Sequence, residues 1–290
     1  MHANISLLKH QSAMLETIAK IILNAFTFSR KKLIEKHLSS EVKDISVHPE
    51  ILNAYHQWFE KSDKYSDTIA PHLFPLWTYP KLFKLGRSLN LPLHKVLNQG
   101  CKLTINSKLD RSVPFNSKID IYDIKNMEQK YRINQRLTTG PSSNPEAIVA
   151  EIYAVILKNP KKYLKAKKAS QKIDVSKLRH IESLSITKDD AKSYAYTSGD
   201  VNPIHLNKNI AKLMGLKGSI MHGFGLFALL FESIESHHFE IKEIDIRFLK
   251  PVYLGCQVHV YIRELKENKY QVRILSDDHM SVHLSGEFKV

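Results

Sequence analysis

An α+β fold, built twice in tandem, is the architecture the sequence predicts. Three observations carry it. Strand-like segments come in two runs, one in each half of the chain. An apolar helical stretch stands ahead of each run, the layer pattern of helix on antiparallel sheet. The two runs also correspond. Val113 and Val252 are 252 − 113 = 139 positions apart, as are Ile119 and Val258, each pair in a strand–turn–strand context. A period that long indicates a duplicated domain and not a solenoid.

The 290 residues leave room for about two domains of ordinary size. The first predicted element is a helix. Leu15, Ile18, Ile22 and Ala25 recur at helical spacing and form one apolar stripe, flanked by Lys9, Lys20, Arg30, Lys31 and Lys32. Two placements suit it: packed on its own domain, or lying as a basic amphipathic helix on a membrane surface. Residues 73–83 hold the place of the first half's helix, which Pro75 and Pro80 should shorten. Strands follow at 102–107, 119–124, 131–139 and 148–157, with a loop by composition at 140–145. Lysines at 158, 161, 162, 165, 167, 168 and 172 then mark a solvated linker or connecting helix. In the second half a short strand at 184–187 precedes a helix from Lys188 towards Tyr196. An apolar helix begins near Gly223, and strands at 241–249, 258–265, 270–275 and 281–289 close the chain. The predicted division is residues 1–160, a basic linker at 161–178, and residues 179–290.

Hydrophobic residues make up 43% of the chain and charged residues 25%, which is globular and not disordered composition. Lys and Arg outnumber Asp and Glu by 43 to 29. Such an excess attracts nucleic acid, anionic lipid, a nucleotide-bearing thioester or an acidic carrier protein. No helix-turn-helix, RNP or zinc pattern is present, so nucleic acid is not the expected partner. Cys101 and Cys256 stand far apart, with neither metal spacing nor a disulfide framework. The longest nearly apolar run, 220–231, is too short to span a bilayer and is interrupted by His222. With no secretory signal or targeting tail read at the ends, the expected location is cytoplasmic.

The chemistry concentrates in Ser198-Gly199-Asp200-Val201-Asn202-Pro203-Ile204-His205. Gly199 and Pro203 fix a loop, Asp200 and His205 bracket it, and Asn202 offers donor and acceptor inside it. A carboxylate and an imidazole on one rigid loop are the minimum needed to orient a water and move its protons. Met221-His222-Gly223 then leads into the apolar helix. Free N–H groups at a helix start can hold a developing oxyanion, and glycine lets a carbonyl approach closely.

This stretch resembles the signature of the MaoC-like family of (R)-specific enoyl-CoA hydratases, in which an aromatic precedes Ser-Gly-Asp-x-Asn-Pro-aliphatic-His and a small residue follows. Tyr194, Ser198, Gly199, Asp200, Asn202, Pro203, Ile204, His205 and Ala211 fit it, and Thr197 departs from it at the start of the loop. Residues 246–255 also resemble the family's strand and turn after the central helix. The resemblance covers roughly residues 180–290 and reaches the first half only in layout. It implies two hotdog domains in tandem, each an antiparallel sheet wrapped around a central helix. It implies Asp200 and His205 as the catalytic pair, with the Gly223 N–H as oxyanion donor. Asn202, Ser198 and His222 are expected to touch the substrate.

The implied reaction is reversible hydration of a trans-2-enoyl thioester to the (R)-3-hydroxyacyl thioester, on CoA or acyl carrier protein. No metal or redox cofactor is expected. A homodimer is compatible with the layout, as is peripheral membrane contact. The first half, which lacks the motif, is expected to make room for the acyl group. A non-catalytic acyl-thioester-binding or scaffolding protein is the alternative.

Overall fold

Ten strands form one antiparallel sheet, five from each half of the chain. The structure is a computed structural model that describes residues 4–26, 33–59, 63–158 and 173–290. The first half contributes β1 (Leu38–Ile45), β3 (Val96–Ile105), β5 (Phe115–Asn126), β6 (Lys130–Gly140) and β7 (Ile148–Leu157). A separate small pair joins β2 (Thr68–Ile69) to β4 (Leu109–Asp110). The second half contributes β8 (Arg179–Ile186), β9 (Glu243–Phe248), β10 (Cys256–Lys266), β11 (Lys269–Ser276) and β12 (Val282–Lys289). The helices are α1 (Ser12–Phe26), α2 (Pro49–Trp58), α3 (Pro75–Ser88), α4 (Lys188–Ser198), α5 (Pro203–Leu206), α6 (Lys208–Leu213) and α7 (Gly223–Ser236).

The duplication is visible in the strand order. From the outer edge inward the first half reads β1-β5-β6-β7-β3, and the second reads β8-β10-β11-β12-β9. Each is its own first, third, fourth, fifth and second long strand. The halves join where β3 pairs antiparallel with β9, Cys101 opposite Ile246 and Leu103 opposite Ile244. Ile119 pairs with Leu137 and Val258 with Ser276, so the 139-residue correspondence also holds across the neighbouring strand.

In both halves the sheet packs its apolar face on a central helix. Inward positions alternate along β5 (Phe115, Ile119, Ile121) and β10 (Val258, Val260, Ile262), as a pleated strand with one covered face requires. Helix α7 is buried nearly all round, through Phe224, Leu226, Phe227, Leu230, Phe231 and Ile234. Each such side chain contributes about 1.5–3 kcal/mol by leaving water.

The structure departs from the sequence reading in several places. Helix α3 is not shortened by its prolines and has the same 14 residues as α7. Pro75 opens the helix where no N–H is needed, and Pro80 forgoes a single bond inside it. Strand β1 was not foreseen. It is a sheet edge of sequence LSSEVKDI, in which no residue is fully buried, so it carries little apolar pattern. Strands β3 and β8 begin six and five residues earlier than read, at Val96 and Arg179. The charged run 161–172 lies outside the described residues, as do Arg30, Lys31, Lys32 and the side chains of Ile22 and Ala25.

Of the two placements for the N-terminal helix, the structure has it packed on protein, with Met14 and Ile18 buried. It reaches beyond its own half, however, onto the loop after α4. Among the described residues no helix is long and apolar enough to cross a membrane.

Candidate active site

The motif forms a helix end, a tight turn and a new helix start. Thr187 opens α4 with a capping box, its hydroxyl accepting from Asp190 N–H and the Asp190 carboxylate accepting from Thr187 N–H. Gly199 ends the helix at φ +76°, in the left-handed region that favours glycine. Asn202 then caps α5, its side-chain oxygen accepting from Ile204 N–H at 3.3 Å. Pro203 is the first helical residue, where its missing N–H is not needed. Cap, proline and one further residue place His205 on the first turn, which explains the spacing Asn-Pro-x-His.

This local geometry converges with the start of α7. One carboxylate oxygen of Asp200 and one ring nitrogen from each of His205 and His222 lie within 4.8 Å of one another. The two imidazoles stack, with centroids 3.7 Å apart and planes at 27°. The hydrogen bonds define both tautomers, because a carbonyl can only accept. His205 Nδ1 donates to Ile220 O at 2.9 Å, which leaves Nε2 as an unprotonated acceptor. His222 Nε2 donates to Asp200 O at 2.9 Å, which leaves Nδ1 unprotonated, buried and without a partner.

Burial favours the neutral form of both rings. Burial lowers the His205 pKa, against the opposing charge of Asp200 and the bond to Ile220 O. Burial lowers the His222 pKa further, and the neighbouring His205 adds to the effect. The arrangement therefore offers a carboxylate and a neutral imidazole at a separation one water can bridge.

The remaining expected residues fall around this centre. Gly223 is the first residue of α7, a position whose N–H has no partner within the helix. The ring of Phe248 lies over it, 3.0 Å from where a β-carbon on Gly223 would stand. Ser198 was expected to face the substrate. Instead its one hydroxyl proton is committed to Tyr194 O at 2.6 Å, and its oxygen accepts from Asp200 N–H at 3.2 Å. Asn202 likewise has its oxygen engaged in the cap, so both side chains shape the loop.

Several neighbours were not among the expected site residues. Tyr194 packs on His222 with ring centroids 4.9 Å apart, and the aromatic position in the motif was its only signal. The first half contributes Phe74 and Tyr79, whose rings meet Phe224 at 5.3 and 5.6 Å. Burial raises the Tyr79 phenol well above its usual range, with the charges of Tyr194, Cys101 and Asp200 adding to it.

The first half also repeats part of the site. His72-Leu73-Phe74 stands ahead of α3 as His222-Gly223-Phe224 stands at the start of α7, and Tyr55 packs on His72 as Tyr194 does on His222. His72 faces a different partner, the buried Glu232 carboxylate of α7, with Nε2 at 2.8 Å. Lys64 at 2.8 Å and the Tyr65 hydroxyl complete that carboxylate's shell.

By donor type, Asp200, His205 and His222 could also hold a divalent metal, as could His10, His48 and Glu50 on the surface.

Residues 169–283 match the family model of the MaoC like domain. The 3-hydroxyacyl-thioester dehydratase X of Mycobacterium tuberculosis is 37% identical over 81 residues, 28% of this chain and 29% of that protein. The mitochondrial 3-hydroxyacyl-[acyl-carrier-protein] dehydratase of Arabidopsis thaliana is 32% identical over 100 residues, 32% of this chain and 59% of that protein. The aligned stretches thus span less than two thirds of either relative. The crystal structure of HtdX from Mycobacterium tuberculosis superimposes with a TM-score of 0.71 at 18% identity, covering 87% of this chain and 99% of that one. That likeness extends the double-hotdog fold over both halves.

Proposed function

We propose that the protein is a hydro-lyase that adds water reversibly to trans-2-enoyl thioesters and forms the (R)-3-hydroxyacyl thioester. One observation carries the reading: the Asp200 carboxylate and the neutral His205 imidazole, its tautomer set by Ile220 O, meet beside the free N-terminus of α7. The MaoC-like match and the names of the two aligned dehydratases support it.

In hydration, one water sits between Asp200 and His205. The pair takes a proton from the water as its oxygen bonds to C3, and a proton is returned to C2. The charge that develops on the thioester oxygen is held by Gly223 N–H, and dehydration runs the same steps backward. His222 orients the pair, because its Nε2–H holds the Asp200 carbonyl and its ring stacks on His205.

The division of labour follows the predicted domains. Residues 179–290 supply the chemistry, and residues 1–160 supply a wall of the acyl site through Phe74 and Tyr79. The carrier is CoA or acyl carrier protein, to either of which the net charge of +14 is complementary.

The test is steady-state hydration of crotonyl-CoA and longer enoyl-CoAs. Asp200→Asn is expected to lose at least about a hundredfold in kcat. Near-parental turnover in that variant overturns the assignment, and saturable binding without turnover in the parent favours a non-catalytic acyl-binding role.

A further inference from the structure

The loop that carries Asp200 leans on a segment that lies far ahead of it in the chain. Residues Ile5–His10 form a short 3-10 turn that runs through Gln11 into α1. Gln11 is 4% exposed, and its side-chain amide donates to Thr197 O at 2.5 Å. Thr197 sits in the last turn of α4, where backbone carbonyls have no partner within the helix. Gln11 thus supplies the cap of the helix whose end aims Asp200.

A second contact bears on the same turn. A β-carbon on Gly199 would stand 2.9 Å from Met14 Cβ and 3.1 Å from Gln11 Oε1, so the segment is seated directly against the left-handed residue before Asp200. From there the connection to the chemistry is short. Ser198 Oγ accepts from Asp200 N–H, and Asp200 O accepts from His222, which stacks on His205.

The segment is also held on its other side. Lys9 and His10 both reach the Glu50 carboxylate at 3.2 Å, and His10 stacks on His48 at 3.6 Å. Leu7, Met14 and Ile18 bury its apolar face. It therefore braces the catalytic turn of the second half against α2 of the first.

We propose that Gln11 is a positioning residue: through the Thr197 carbonyl and the Gly199 turn it fixes where Asp200 stands relative to His205. This rests on the reading of Asp200 and His205 as the acid and base.

The experiment compares the parent with Gln11→Met, which keeps the volume and removes the amide, and with Gln11→Ala. Two readouts are taken well below the unfolding temperature: kcat and KM for crotonyl-CoA, and the ring nitrogen NMR resonances of His205 with their pH titration. Gln11→Met is expected to lose about tenfold in kcat with KM within about twofold, because misplacement of a reacting group acts mainly on the chemical step. The His205 resonances are expected to move. The proposal is overturned if kcat stays within about twofold of the parent, or if the His205 resonances are unmoved, even where the thermal midpoint falls. If the parent itself shows no turnover, the hydratase reading fails separately and the His205 resonances alone decide the role of Gln11.

Discussion

Glu232→Ala should be among the most damaging single substitutions outside the motif. Glu232 is 4% exposed, on a helix buried nearly all round. It accepts from His72 Nε2, the Tyr65 hydroxyl and Lys64 Nζ, all from the first half. Alanine leaves His72 and Tyr65 as buried donors without an acceptor, at about 1–3 kcal/mol each. Lys64 retains Glu235 at 2.9 Å and is spared. The total, about 4 kcal/mol, agrees with the general loss when one member of a buried ion pair is removed, about 3–5 kcal/mol. At about 2–4 °C per kcal/mol for a chain of this size class, the thermal midpoint should fall by about 8–16 °C.

Glu232→Gln keeps an acceptor but loses the charge, and should fall about halfway. The pH dependence provides an independent check. Burial pushes the Glu232 carboxyl up, but the hydrogen bond and charge of His72, followed by Lys64, outweigh it and hold the group at about 2. Its folded pKa lies below the unfolded value of 4.5, so its stabilisation is fully present above that value and is lost as pH falls towards 2. Scanning calorimetry across that window measures both effects. A drop of less than about 2 °C in Glu232→Ala, or the same acid slope in Glu232→Gln as in the parent, would refute the reasoning.

His56 extends the acid sensitivity to milder pH. Its burial, followed by the charges of His72 and Arg111, lowers its pKa from 6.5 to about 4. The unfolded chain takes up that proton first, so roughly 3 kcal/mol of stability present above pH 6.5 should be lost as pH falls through 4. Urea titrations of the parent and His56→Leu between those values should show a shallower slope in the variant, and parallel slopes would count against the neutral buried imidazole. Because the proposed addition of water rests on Asp200, His205 and the Gly223 N–H alone, prolonged dialysis against EDTA should leave crotonyl-CoA hydration unchanged. Loss of turnover that zinc or another divalent ion restores would instead make Asp200, His205 and His222 a metal site.

Much of the site was legible because its geometry is local. In Ser-Gly-Asp-x-Asn-Pro-x-His the glycine takes the left-handed turn, the asparagine caps and the proline starts a helix, so spacing alone sets where Asp200 and His205 emerge. The strands with alternating burial, β5 and β10, were legible for the same reason. What stayed hidden depends on partners distant in the chain. An edge strand such as β1 takes its order from β5 and not from an apolar pattern of its own. Helix α3 tolerates Pro80 because the sheet it packs on stabilises it from outside.

By itself, the sequence determined the duplicated α+β layout and the loop that presents a carboxylate and an imidazole, since both follow from periodicity and turn chemistry within a few residues. Only the tertiary structure decided which ring nitrogens are free, that His222 stacks on His205, that His72 is matched by Glu232, and that Gln11 caps the helix before Asp200. The first two form within the second half, where the Asp200 loop meets the start of α7. The last two join groups from opposite halves of the chain, whose strands pair edge to edge through β3 and β9.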